Sequence, residues 1–438
     1  MSSDAPRSRR RWVFLGVALA ALILAGGAAA LVLTSGGDVS NEDVAFTTEP
    51  TVTPEPTPEP EPEPEGRRGR RTVEEPFTWA HYGYSKDHRR YLPASKSLRP
   101  PFHRSWALTG SILLEFGPVI GGRSLYLLKN NAALYAVSKR TGEVRWKRKL
   151  GYLAAASPAY GDGRVYVSIL ERSKGEKAGR VVALDAKSGR TLWSRPLASR
   201  TESSPLLDNG RLYLGSENGT VYSLRASNGE VRWRYQASGA VKSALALADG
   251  KLYFGDYSGR VQAIRQSDGR RVWRTGTSGA RFGLSSGRFY STPAVAYGRV
   301  YLGNTDGKIY SFSSADGKLA WSKSTGGYVY SSPAVAQVPG GKPTVYAGSY
   351  SGMFYALDAR NGKVRWSHDA GGKISGDATV VGDIVYFANL GAKSTIGLGA
   401  RTGRKVFEFG RGSFNPVVSD GRRIYLTGYS SLYALRPK

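Results

Sequence analysis

Seven tryptophans constrain the fold more than any other feature of this chain. Trp106, Trp146, Trp193, Trp233, Trp273, Trp321 and Trp366 follow at intervals of 40, 47, 40, 40, 48 and 45 residues, and Phe407 extends the series after 41 more. A period of roughly 40–50 residues marks a chain built from copies of one supersecondary unit. Each aromatic closes the same phrase, as in ALDAKSGRTLW at 183–193, SLRASNGEVRW at 223–233 and ALDARNGKVRW at 356–366. A second phrase precedes it in each unit: GRVYVS at 163–168, GRLYLGS at 210–216, GKLYFGD at 250–256, GRVYLGN at 298–304. Dipeptides such as Asn228-Gly229, Asp268-Gly269 and Asn361-Gly362 separate the apolar runs. They supply the positive φ that a tight hairpin turn requires.

The runs are too closely spaced for βαβ crossovers, and no helical periodicity appears after residue 100. Each unit reads as a four-stranded antiparallel blade, and the array as an all-β propeller. Seven units end at Trp146 through Phe407. The last stretch, 413–438, has three strands and no closing aromatic, while Trp106 is left over in front of the first unit. Pairing the strand around Trp106 with the final blade gives eight blades and a ring without an open edge.

Ahead of the ring, at 102–438, the chain changes character three times. Residues 1–11 are basic, with Arg7, Arg9, Arg10 and Arg11. Residues 12–33 carry no charge and, as a helix rising ~1.5 Å per residue, reach ~33 Å, enough for a bilayer core. The expectation is a single-pass anchor, N-terminus cytoplasmic by the positive-inside rule and propeller extracytoplasmic. A cleaved signal peptide is the rival, with Ala28 to Ala30 as small residues, but its apolar run is normally shorter. Residues 34–65 read as a disordered linker rich in Pro and Glu, extended at ~3.1 Å per residue and suited to a stalk. Residues 66–101 read as a basic, aromatic lead-in that packs along the propeller.

Composition removes several chemistries. There is no cysteine, so disulfides, Cys-bound metals and a Cys nucleophile are excluded. Four histidines, at 81, 88, 103 and 368, make a multi-His metal centre a poor reading. No hydrolase triad order, paired-carboxylate motif or phosphate-binding glycine loop is present. The net charge is +28, yet residues 1–65 hold 4 basic and 10 acidic side chains against 51 and 21 in 92–438. The ring is therefore the basic part and would attract polyanions. With no recognition motif, nucleic acid is not the expected partner.

The phrase A-x-D-x-x-x-G-x-x-x-W, complete at 183–193 and 356–366, resembles the tryptophan-docking repeat of the pyrroloquinoline-quinone (PQQ) propellers. Trp79-x-x-Tyr82-Gly83 followed by Arg90-Tyr91 is similar to the opening of the PQQ dehydrogenases. The resemblance implies an eight-bladed ring and one of two roles. Some members are quinoprotein dehydrogenases that hold PQQ against a Trp and a ring of two adjacent cysteines, with calcium on Glu, Asn and Asp. Others are non-catalytic, such as the scaffold of the outer-membrane assembly machine.

The repeat tryptophans read as packing between blades, since a ligand needs one platform and not seven. Asp377 stands where sibling units carry Pro158, Pro205, Pro293, Pro333 and Pro416. That position starts a channel-lining strand, so Asp377 is the candidate for a cation or amine. Its plain alternative is a hydrated residue in a divergent blade. Asp256, Asn304, Asn389 and Asn415 would have to converge with it to hold a metal. No catalytic residue is assigned. The expectation is a non-enzymatic scaffold at the cell envelope, with envelope proteins or anionic envelope polymers as partners. The alternative is a PQQ- and calcium-dependent dehydrogenase of alcohols or sugars.

Overall fold

In the computed structural model, residues 37–48, 77–95, 97–277, 287–415 and 417–438 are described. The anchor expected at 12–33 lies outside them. Among the described residues no helix is long and apolar enough to cross a membrane.

The described chain forms eight sheets, each with a four-stranded antiparallel blade. Blade 1 runs from inner strand Val119–Gly122 to outer strand Val144–Lys149. Blades 2 to 7 start at inner strands Ala159–Gly161, Leu206–Asp208, Ala246–Ala248, Ala294–Ala296, Ala334–Ala336 and Ala378–Val381. Blade 8 has three strands from the C-terminus, and its outer strand is Phe102–Leu108. Trp106 pairs with Ala434, so the expected closure is the one observed.

The repeated residues form one repeated joint. Each indole N–H donates to a backbone carbonyl of the next blade: Trp146 to Ala186 (3.1 Å), Trp193 to Ala226 (2.9 Å), Trp321 to Ala359 (3.0 Å), Trp366 to Ala400 (3.1 Å). The indole lies against the turn glycine of that blade. A Cβ on Gly362 would stand 2.8 Å from Trp321, and Gly362 also has φ +73°. Both demands exclude any other residue cheaply. A tyrosine from the second strand, such as Tyr301, donates to the same carbonyl from full burial. Between blades 7 and 8 Phe407 stands in the indole's place and packs edge-on against Phe102 at 5.4 Å.

Successive strands run in opposite directions, so connections into each inner strand and between second and third strands share one face. That face is called upper here, and the face of the tight hairpin turns lower. Three extra strands extend the blades. Val39–Ser40 lies on the outer edge of blade 5, Phe77–Trp79 on the inner edge of blade 1, and Tyr91–Leu92 on the inner edge of blade 7.

One expectation changes as a result. Residues 37–48 are docked on blade 5 and are not free linker, because Val44 and Phe46 pack against its core. The Pro-Glu stretch from residue 49 lies outside the described residues. The described part of the lead-in pairs with the inner strands of blades 1 and 7. It enters the channel.

Candidate functional site

The lead-in circles the channel axis and touches the blades in order. Phe77–Trp79 pairs with the inner strand of blade 1. Tyr160 N–H of blade 2 donates to Ala80 O, and His81 Nε2–H donates to Leu207 O of blade 3, both at 2.9 Å. Leu247, Val295, Val335 and Val380, on blades 4 to 7, donate their amides to Lys86, Asp87, Arg89 and Arg90 carbonyls at 2.8 Å. These amides face the channel and have no partner within their own blade's ladder. The tight path needs left-handed backbone at Gly83, Tyr84, His88 and Arg90.

This path aims Tyr82, His88 and Arg90 into the channel. Asp377, just before the inner strand of blade 7, meets them there. Its Oδ2 is 3.5 Å from Arg90 Nε and accepts the Tyr82 hydroxyl, while Oδ1 accepts the Ser332 amide at 2.9 Å. Arg90 is 1 % exposed and lies 4.8 Å over the Tyr82 ring. Its Nη1 donates to His88 O at 3.1 Å. The cation beside Asp377 is thus a guanidinium of its own chain. A void of about 20 Å³ remains among Trp79, Tyr82, Arg90, Asp377 and Thr427. That is room for about one water.

Burial sets the protonation of this cluster. It pushes the His81 imidazole down to about 4, so the ring is neutral at physiological pH. His88 is held well below its usual value by burial and then by the Arg90 charge. The Tyr82 hydroxyl is pushed up by burial and by the Asp377 carboxylate.

Three of the other sequence candidates do not join the cluster. Asp256, Asn304 and Asn389 sit in separate upper turns of blades 4, 5 and 7. Asp256 accepts from Ser258 N and Gln262 Nε2, Asn304 from Asp306 N, and Asn389 from Ala392 N. Asn415 does line the void beside Asp377, and its Nδ2 donates to Glu115 O at 2.5 Å. Among the described residues no three His, Cys, Asp or Glu side chains come together as a metal would need.

The upper mouth has a different lining. Lys242 bridges Glu202 (2.7 Å) and Glu217 (2.9 Å), and Tyr290 donates to Glu202 at 3.0 Å. Burial, then Glu202, holds the Tyr290 hydroxyl well above its usual value. Around them Tyr257, Tyr290, Tyr330, Tyr328 and Tyr350 form a crescent with ring centroids 4.9–6.4 Å apart. The lower face has an open cleft of about 400 Å³ between the lead-in and blades 4 and 5, bordered by Lys86, Arg89, Asp249 and Tyr297.

Sequence reasoning placed Asp377 at the channel but missed Arg90 and Tyr82 as its partners. Their signal was the opening motif outside the repeat, which says nothing of how the segment folds. The tyrosine crescent had no signal, since tyrosine is also the core residue of every second strand.

Comparison with known proteins agrees with this architecture. The family model described as outer membrane protein assembly factor BamB matches residues 88–176, 177–328 and 331–438. The chain belongs to this family of PQQ-like propellers. Solved structures with the same fold include quinohemoprotein alcohol dehydrogenase ADHIIG from Pseudomonas putida HK5. It is 15 % identical with a TM-score of 0.68, over 83 % of this chain and 80 % of that one. BamB from Moraxella catarrhalis is 16 % identical with a TM-score of 0.62, over 77 % of this chain and 98 % of that one. A europium-containing methanol dehydrogenase is 13 % identical with a TM-score of 0.68, over 83 % and 98 %. A search of curated proteins gives no match.

Proposed function

We propose that this chain is a non-enzymatic scaffold or binding module, held at the outer face of the cell membrane by the apolar run 12–33. The observation that carries this reading is the occupied channel. Tyr82, His88 and Arg90 of the lead-in fill its centre, and Arg90, Tyr82 and the Ser332 amide take up the Asp377 carboxylate. Ligand sites are commonly ~300–1,000 Å³. The void beside Asp377 is about 20 Å³. A fused three-ring quinone does not fit there, and both oxygens of the Asp377 carboxylate are already engaged by Arg90, Tyr82 and the Ser332 amide. The quinoprotein alternative therefore lacks its pocket at the channel centre.

A rigid ring with loops on two faces is a natural docking platform. The lower-face cleft beside Lys86 and Arg89 suits an acidic segment of an envelope protein, or an anionic envelope polymer, as partner. Calorimetric titration of the full chain in detergent with PQQ and calcium tests the reading. The expected result is no saturable heat and no thermal stabilisation. Saturable, calcium-dependent binding would restore the dehydrogenase.

A further inference from the structure

The docked segment before the Pro-Glu stretch shows which face of the ring meets the membrane. Val39–Ser40 runs antiparallel to the outer strand of blade 5, with Val39 opposite Ser322 and Ser40 opposite Trp321. Asp38 accepts from Ser324 N at 2.7 Å and pairs with Lys323 at 2.6 Å, where that strand enters an upper connection. Asn41 N donates to Ala320 O at 2.7 Å, and Thr47 N to Tyr297 O at 3.1 Å in a lower turn. The chain thus descends the rim of blade 5 from the upper face to the lower. Arg299 clamps it through the Val44 and Ala45 carbonyls, and Phe46 stacks on Tyr297 at 5.4 Å.

The apolar run ends at Leu33, and only residues 34–36 lie between it and Gly37. At no more than ~3.6 Å per residue, Gly37 is within ~14 Å of Leu33. The polar layer of a bilayer leaflet is itself ~5–8 Å thick. The upper rim of blade 5 therefore reaches the lipid headgroups.

The chemistry of that face matches. Among the described residues the exposed large aromatics are Tyr152, Tyr328 and Tyr429, at 45 %, 55 % and 54 %. All three are on upper-face connections, and Tyr328 is four residues past Ser324. The exposed large aliphatics, such as Val272 and Val364, are on outer strands instead. Arg288 and Lys373 flank the crescent, over the rings of Tyr257 (5.4 Å) and Tyr350 (5.7 Å). Neither forms an ion pair among the described residues. Tyrosine favours the membrane–water interface, and basic side chains favour anionic headgroups.

We infer that the upper face of blades 4 to 7 is seated on the anionic lipid surface, with Tyr328, Arg288 and Lys373 at headgroup level. The lower face, with its filled channel and cleft, points away from the membrane. This rests on residues 12–33 being a retained anchor.

The chain lacks cysteine, so single labels are simple to place. Tyr328→Cys and Lys373→Cys report the upper face, and Lys318→Cys, in a lower turn, reports the other. Each full-length variant is labelled with a fluorophore and reconstituted in vesicles of about one-third phosphatidylglycerol carrying a headgroup quencher. The two upper labels are expected to be quenched several-fold more than the Lys318→Cys label. Equal or reversed quenching, in vesicles that keep the protein through alkaline extraction, overturns the orientation while leaving the anchor intact. Release of the protein by alkaline extraction overturns the anchor, and the orientation with it.

Discussion

Inside the channel the chain satisfies its own inner strands. Four amides, of Leu247, Val295, Val335 and Val380, find carbonyls of the lead-in, and a buried acid finds a buried guanidinium. At the upper mouth the tyrosines and cations stay half-exposed, and Tyr328 and Lys373 face outward. The difference separates two uses of polar groups. Inside the channel, the inner-strand amides and the Asp377 carboxylate are matched within the molecule, which closes the ring. Above, Arg288 and Lys373, without ion pairs among the described residues, and the exposed rings are left for something outside.

The largest test of that contrast is a paired substitution. Asp377→Asn leaves Arg90 buried without its countercharge, and losing one partner of a buried pair costs about 3–5 kcal/mol. Tyr328→Ala, on an exposed loop, is expected to change stability by no more than about 0.5 kcal/mol. Denaturant titration of both variants checks this. Equal effects would mean that the channel cluster is no more built than the upper mouth.

A pH titration sharpens the same comparison. His81 has a folded pKa of about 4 against a usual value of 6.5. The unfolded chain then takes up a proton before the folded one as the pH falls. Stability from this group is complete above pH 6.5, falls from 6.5 towards 4, and levels off below. The loss is about 3 kcal/mol for His81 alone. His88 shifts in the same direction. Melting curves across this window are expected to show the fall, and His81→Gln to flatten part of it. The upper mouth has no histidine among the described residues, so its contacts would not follow this profile.

The ring was legible because its joint repeats. An indole needs the same carbonyl and the same glycine in every blade, so Gly and Trp recur at register through 366 and fail only at Phe407. Trp106 could be assigned to the last blade because that blade lacked its aromatic. The lead-in follows no period. Its turns depend on left-handed Tyr84, His88 and Arg90, residues whose identity does not announce that backbone. Asp377 could be placed on the channel but not paired, since Arg90 is far away in sequence and outside the repeat. Residues 37–48 read as linker because Asn41, Glu42 and Asp43 are polar. What docks them is a clamp from Arg299 on their carbonyls, which no side-chain pattern encodes.

Hydrogen exchange of the full chain at the amides of Leu247, Val295, Val335 and Val380 tests the central claim most directly. Each lies on an inner strand edge and is covered only by a lead-in carbonyl. The filled channel predicts protection close to that of the blade interiors, lost together in Asp377→Asn. Exchange as fast as in exposed loops would mean that the lead-in does not occupy the channel, and the scaffold reading built on it would fall.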